Sequence, residues 1–294
     1  MKRLNFILVL ALWLYMPLCA FAQADRNTIF KVAFGEIEYT PKQEKVSVGS
    51  VLGTIGQALA HGSVTTHKDK YAHSVRASVL SGLGKVRRFH TSEGPFMDGE
   101  IEEDTPAFSV SGTINSISTT SSLFTPTDKN VRPYNVYKAQ IEVTVHVKDV
   151  KDVHDGHIVD SHTFYITNHD MQWVKSEDNA LNEALIRLSS KVARHYNMQF
   201  PLNASIIEAG VAKKDKQKEV YIDLGSANAA CVDMRFAVYS VKTIAGRSAK
   251  RELGVIKVVE VMGDDISLCK VKSGGKNIKA ALEEGETVVV MSYE

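Results

Sequence analysis

The stretch KAQIEVTVHVKDV, residues 138–150, alternates apolar and polar side chains without a break: Ile141, Val143, Val145 and Val147 against Glu142, Thr144, His146 and Lys148. A period of two puts the first set on one face of an extended strand and the second on the other, whereas a helix would spread both sets around its axis. The chain must therefore contain a sheet with one buried and one wet face, an arrangement typical of antiparallel pairing. Asp155-Gly156 supplies a hairpin turn, and IVDSHTFYITNH returns from it.

The segments on either side say what covers that sheet. IFKVAFGEIEY, residues 29–39, sets Phe30, Val32 and Phe34 on one face with Ala33 and Gly35 between, the pattern of an interior strand, and Pro41 closes it. SVGSVLGTIGQALAHG then repeats glycine at 49, 53 and 56. A phosphate loop needs a lysine and Ser or Thr after its last glycine; Gln57 and Ala58 stand there. The glycines are read as positions of close packing. Tyr71, Val75, Val79 and Leu83 recur at helical intervals up to Gly84, and KVRRFHT follows as a short strand. Residues 92–106 are acidic and broken by glycine and proline, a surface loop. FSVSGTINSIS, residues 108–118, is a strand, followed by a polar stretch up to residue 137.

SEDNALNEALIRLSSKVARHY is the clearest helix. Ser176 caps it, Glu177 and Asp178 sit in the first turn, and Leu181, Ala184, Leu185, Leu188, Val192 and Tyr196 form one apolar stripe. Arg194 and His195 are placed in its last turn. After Pro201 the pattern changes to short strands near 205–209, 219–224, 235–242, 254–262, 266–272 and 287–292, with NIKAALEE as the one helical candidate. The expected fold class is α+β: an α/β sandwich with helices on one mixed sheet, then a small all-β barrel or sandwich.

The first residues set the compartment. Lys2 and Arg3 precede the apolar run FILVLALWLY, and CAFAQA offers small residues for cleavage after 22 or 24. That is a signal peptide, with an apolar core well short of the ~20 residues a spanning helix needs. A lipoprotein signal would place a small residue before Cys19, and Leu18 stands there, so a lipid anchor is not expected. Losing Lys2 and Arg3 takes the formal charge from +1 to −1, with no net pull toward nucleic acid. Cys231 and Cys269 remain, too few for a disulfide-built scaffold.

Two passages carry resemblances. KVAFGEIE, LSGLGKVRRFHTSEG, FSVSGTINSI, VTVHVKDVKDVHDGHIVDS and NEALIRLSSKVARHY, in that order over residues 29–198, resemble the CsgG family of envelope proteins, which includes curli secretion channels and whose core is similar to LpoB and TolB amino-terminal domains. VYIDLGSANAACVDMRFAVY with ELGVIKVVEV and IKAALEEGETVVV resembles the carboxy-terminal domain of the flagellar assembly protein FlgT. Gly225, Phe236, Val238, Tyr239, Gly254 and Gly285 keep that pattern, whereas Ala229 and Asp233 stand where the family has glycine. A positive φ would be unfavourable at Ala229, so a reshaped turn is expected.

The CsgG resemblance implies either a pore subunit or a soluble assembly module. A pore needs two insertions forming membrane-spanning hairpins of about ten alternating residues per strand. TTSSLFTPTDKNVRPYNV carries Pro126 and Pro133 and does not alternate, and TNHDMQWVK is too short. His154, His157 and His162 lie near Asp152, Asp155 and Asp160 in the manner of a metal site, yet they flank a polar hairpin tip and are read as solvated. There is no G-x-S-x-G elbow, no H-E-x-x-H and no lysine-bearing phosphate loop. Cys231, without a cationic neighbour, is read as a buried small hydrophobe, with a Cys231–Cys269 disulfide as the alternative. Tyr134, Tyr137, Phe164, Tyr165 and Trp173 near the hairpin are assigned to packing.

The expectation is a non-enzymatic exported protein, periplasmic or at the inner face of the outer membrane. Its segments are a signal peptide over 1–22, an α/β domain over 25–200 and a β domain over 201–294. Its partners would be envelope proteins or further copies of itself, with peripheral outer-membrane contact and no nucleic acid. No catalytic, cofactor-binding or metal-binding residue is assigned and no cofactor is expected. A CsgG-like channel subunit is the alternative, and a hydrolase or metal-binding envelope protein the third reading.

Overall fold

The computed structural model describes residues 27–39, 64–66, 71–96, 101, 106–150 and 158–293. The leader expected with Cys19, the glycine repeat at 49, 53 and 56, and the turn expected at Asp155-Gly156 lie outside the described residues. The chain divides into two compact units, one of residues 30–195 and one of residues 196–293 together with 27–29. The fold is α+β, a mixed sheet with helices followed by a barrel.

The first unit contains β1 (Phe30–Tyr39), β2 (Val64–Thr66), α1 (Ala72–Leu83), β3 (Phe89–Glu93), β4 (Ala107–Phe124), β5 (Tyr134–Asp149), β6 (Ile158–Ile166) and most of α2 (Glu177–Gln199). Its strands run in the order β3-β1-β4-β5-β6, and β2 adds to β4. β1 is parallel to β3 and β4, as expected where a helix makes the crossover, whereas β4, β5 and β6 are antiparallel. Burial along β5 alternates residue by residue, with Ile141, Val143, Val145 and Val147 inside.

Ser176 caps α2 through its hydroxyl, which accepts from the Asn179 backbone N–H at 3.2 Å. Leu181, Ala184, Leu188 and Val192 are fully buried, and full burial of side chains such as Leu or Val stabilises by roughly 1.5–3 kcal/mol each. The helix runs on to Gln199, so Arg194 and His195 are not in its last turn, which holds no basic residue. Gly82 lets α1 lie against α2. A Cβ there would sit 2.7 Å from the Ser189 carbonyl oxygen and 2.7 Å from Val192 Cβ. Ser78 Oγ donates to the Leu185 carbonyl at 2.5 Å, and Lys85 Nζ to Ser189 Oγ at 3.0 Å, tying the same pair of helices.

The second unit contains β7 (Asn203–Ala209), β8 (Ala212–Lys213), β9 (Lys216–Gln217), β10 (Glu219–Ile222), β11 (Arg235–Ile244), β12 (Arg247–Val261), β13 (Ser267–Ser273), α3 (Gly275–Glu283) and β14 (Thr287–Ser292). Six of its strands close a barrel, β10-β13-β12-β11-β14-β7, which leaves no open edge. Val220, Ile222, Leu224, Phe236, Val238, Ile256, Val258 and Val290 fill it without exposure. The NIKAALEE segment is the helix α3, which buries Ile278 and Ala281.

Candidate functional site

The largest departure from the sequence reading is at the end of the first unit's sheet. The strand expected to stop at residue 118 continues through Phe124, and its partner begins at Tyr134 instead of 138. Register is kept to the end, with Ser121 opposite Tyr137, Leu123 opposite Asn135 and Phe124 opposite Tyr134. Pro126 and Pro133 lie in the connection between the strands, so neither interrupts a ladder. A run of serine and threonine hides the strand because those residues carry no apolar alternation, although threonine suits a strand well.

Among the described residues, the paired ends extend past their neighbours. β1 pairs with β4 only as far as Ile114, β2 as far as Thr120, and β6 covers β5 from Ile141 onward. What remains is a two-stranded arm of residues 121–124 and 134–137. The chain after β6 buttresses it. Tyr137 and Val174 exchange backbone hydrogen bonds of 2.7 and 3.0 Å, and Lys138 Nζ donates to the Asn168 carbonyl at 2.9 Å. Asp170 braces that segment, accepting from Lys191 at 3.1 Å and from the Thr167 backbone N–H at 2.8 Å.

Apolar side chains gather on the arm. Leu123 is 65% exposed, and Phe124, Val131 and Trp173 are between 43% and 46% exposed. The Phe124 and Tyr134 rings lie 5.3 Å apart; Lys175 Nζ is 5.3 Å from the Tyr134 ring and Lys138 Nζ 4.9 Å from that of Trp173. Leu123 and Phe124, as successive strand residues, open on opposite faces of the arm, and exposed aromatic side chains beside lysines are a composition found at interaction surfaces. Of the five aromatic residues assigned to packing, Phe164 is buried, whereas Trp173 and Tyr165 are open to solvent.

Of the six His and Asp residues read as a polar hairpin tip, only Asp160 and His162 are described; Asp152, His154, Asp155 and His157 lie outside the described residues. His162 is exposed, as the solvated reading has it, and Asp160 is half-buried, but both have partners. The His162 ring stacks on that of His195 at 4.0 Å and 23°, Phe164 meets both rings edge-on, and His195 Nε2 lies 3.0 Å from Asp160 Oδ2. Burial holds the His162 imidazole below its ordinary pKa, the His195 ring lowers it further, and Asp160 opposes them. The cluster fastens β6 to α2. No group of three or more metal-ligating side chains occurs among the described residues.

The 225–233 turn departs from expectation in two ways. Ala229 has φ +58° and Asp233 φ +75°, so both adopt the left-handed backbone that glycine favours, and the turn is not reshaped to avoid it. Close contact holds it: the Ser226 N–H donates to Gly263 at 2.9 Å, the Ala230 N–H to Gly225 at 3.0 Å and the Asp233 N–H to Val258 at 3.0 Å. Cys231 is exposed, which corrects its reading as a buried hydrophobe; the buried cysteine is Cys269. Both are free thiols, and burial pushes that of Cys269 up to about 12.

No protein-family model matches the chain, and no curated protein matches it in sequence. Among solved structures, it is similar to the PelC dodecamer of Paraburkholderia phytofirmans, with a TM-score of 0.29 and 16% identity over 56% of this chain and 87% of that one. It is also similar to a neuraminyllactose-binding hemagglutinin homolog from Helicobacter pylori, with a TM-score of 0.28 and 14% identity over 58% and 81%. Similarity this low carries no argument about activity.

Proposed function

We propose that the chain is a non-enzymatic cell-envelope protein that binds a protein partner in assembly or secretion, using the arm of β4 and β5. One observation carries this reading: a two-stranded extension braced from behind by residues 167–176, whose end exposes Leu123, Phe124 and Val131. A chain gains nothing for its own core from apolar residues placed there, and covering them is worth roughly 25 cal/mol per Å². The resemblance to CsgG-type and FlgT-type proteins, and the leader-like first residues, support the envelope setting. The partner is a second copy of this chain, an occupant supported by the exposed Leu123 and Phe124, which the same end of another copy would cover.

The channel alternative gains strand length from the arm, since the proline objection no longer applies. Its composition speaks against spanning: SISTTSS presents hydroxyl side chains where a lipid-facing strand needs an apolar residue at every second position.

The test is the oligomeric state of the leader-free protein by light scattering, with Leu123→Asp and Phe124→Asp combined. Concentration-dependent self-association that the double substitution abolishes, with an unchanged thermal transition, supports the proposal. A monomer at every concentration, or an oligomer indifferent to the substitutions, defeats it.

A further inference from the structure

The second unit separates its charge in a way the near-neutral composition conceals. The short β8–β9 hairpin meets the start of α3 and the end of β13 around a cleft of about 330 Å³, lined by Lys216, Lys218, Lys272 and Lys276. The Val271 N–H donates to the Lys218 carbonyl at 2.8 Å, which fixes the hairpin side of the cleft to β13. The positive surface continues across the barrel. Lys257 of β12 is paired in register with Arg235 of β11, and the Asp233 carboxylate is held below the usual range by Lys257 first, with Lys272 and Arg235 adding to it. One carboxylate therefore feels cations from three strands. Seven cations, Lys270 included, lie along this band, among carboxylates that include Asp215, 3.6 Å from Lys276; Asp233, 2.6 Å from Lys257; and Glu219, in register with Lys270. Neighbouring strands are about 4.8 Å apart, so the band from cleft to β11 is on the order of 15 Å long.

We propose that this band binds an acidic polysaccharide, a linear chain carrying carboxylate or phosphate groups, with one anionic group in the cleft and the following ones across β13 and β12. Several features select this partner. Lysine is a mobile point charge that tolerates many anion orientations, in contrast to the bidentate fork of arginine. No aromatic side chain lines the cleft, so the stacking platform that single-stranded nucleic acid uses is missing. The cleft is concave, which a bilayer surface cannot follow. The band also extends beyond the cleft, which suits a repeating ligand better than an isolated anion.

The experiment uses the leader-free chain and fluorescently labelled polygalacturonate, followed by anisotropy at about 50 mM and about 300 mM salt, a range over which multivalent phosphate or carboxylate binding weakens at least tenfold. Saturable binding at low salt, lost at high salt, is expected. Lys272→Glu combined with Lys276→Glu should weaken it about tenfold or more, as should the milder Lys272→Gln with Lys276→Gln to a smaller degree. Lys250→Glu, on β12 but roughly 23 Å along the strand from Lys257, should change it less than twofold. The proposal is overturned if the wild-type chain does not bind, if the cleft variants bind as it does, or if duplex DNA or phosphatidylglycerol vesicles bind at lower concentration than the polysaccharide.

Discussion

Replacing Gly82 with alanine sets two known effects against each other at one position. Alanine gains helix propensity over glycine, about 1 kcal/mol in a helix interior and less at the penultimate residue of α1. Against this, the added Cβ meets the Ser189 carbonyl oxygen and Val192 Cβ at 2.7 Å each, and Val192 Cγ1 at 2.9 Å. Neither a backbone carbonyl nor a Cβ can rotate away, so α1 and α2 must separate, and overpacking of this kind costs about 1–3 kcal/mol. The net expectation for Gly82→Ala is a loss of about 1–2 kcal/mol in urea unfolding followed by circular dichroism. Val192→Ala in the same background removes the Cγ1 contact but not the other two, so it should restore only a small part. Equal or greater stability for Gly82→Ala would show that propensity outweighs the contact and that the helices are not held at this distance.

Other expectations follow from the second unit and the histidine cluster. Ala229→Gly removes a left-handed penalty of about 1–2 kcal/mol and adds about 0.5–1 kcal/mol of unfolded-state entropy, so it should stabilise by about 0.5–1 kcal/mol; a lowered urea midpoint would contradict the backbone geometry. A thiol reagent at neutral pH should label Cys231 in the native leader-free protein and reach Cys269 only after unfolding, because the latter is buried with its pKa pushed up to about 12. The lowered pKa of His162 means that the unfolded chain binds its proton first as pH falls. Its stabilising contribution is complete above the ordinary imidazole value of about 6.5 and lost as pH drops through the folded value. His162→Phe should flatten stability between about pH 7 and 5, and an unchanged profile would remove His162 as a source of pH dependence.

Sequence periodicity was informative where burial is one-sided. β5 alternates because one face is in the core, and α2 shows its stripe because Leu181, Ala184, Leu188, Val192 and Tyr196 are all buried on one face. The arm was illegible for the same reason: Ser118, Thr119, Thr120, Ser121 and Ser122 form a ladder through backbone hydrogen bonds that their side chains do not advertise. The sequence places His195 at a helix end because Asn197, Met198 and Gln199 do not extend the buried stripe, Met198 being exposed, yet they continue the helix and leave His195 beside Asp160. At Ala229 propensity points to a turn that avoids positive φ, whereas hydrogen bonds from Ser226, Ala230 and Asp233 hold the left-handed backbone. The lysine cleft could not be read at all, since Lys216 and Lys272 meet only once the barrel has closed.

The way that barrel closes also bears on how the chain is made. Its seam joins Asn203, Ala204 and Ser205 to Met291, Val290 and Val289, so the first strand of the second unit waits for the last. Contacts this distant in sequence form slowly and cannot form on a partly synthesised chain. The first unit, complete by His195, can fold without the residues that follow it, whereas the barrel must remain open until its final strand is available.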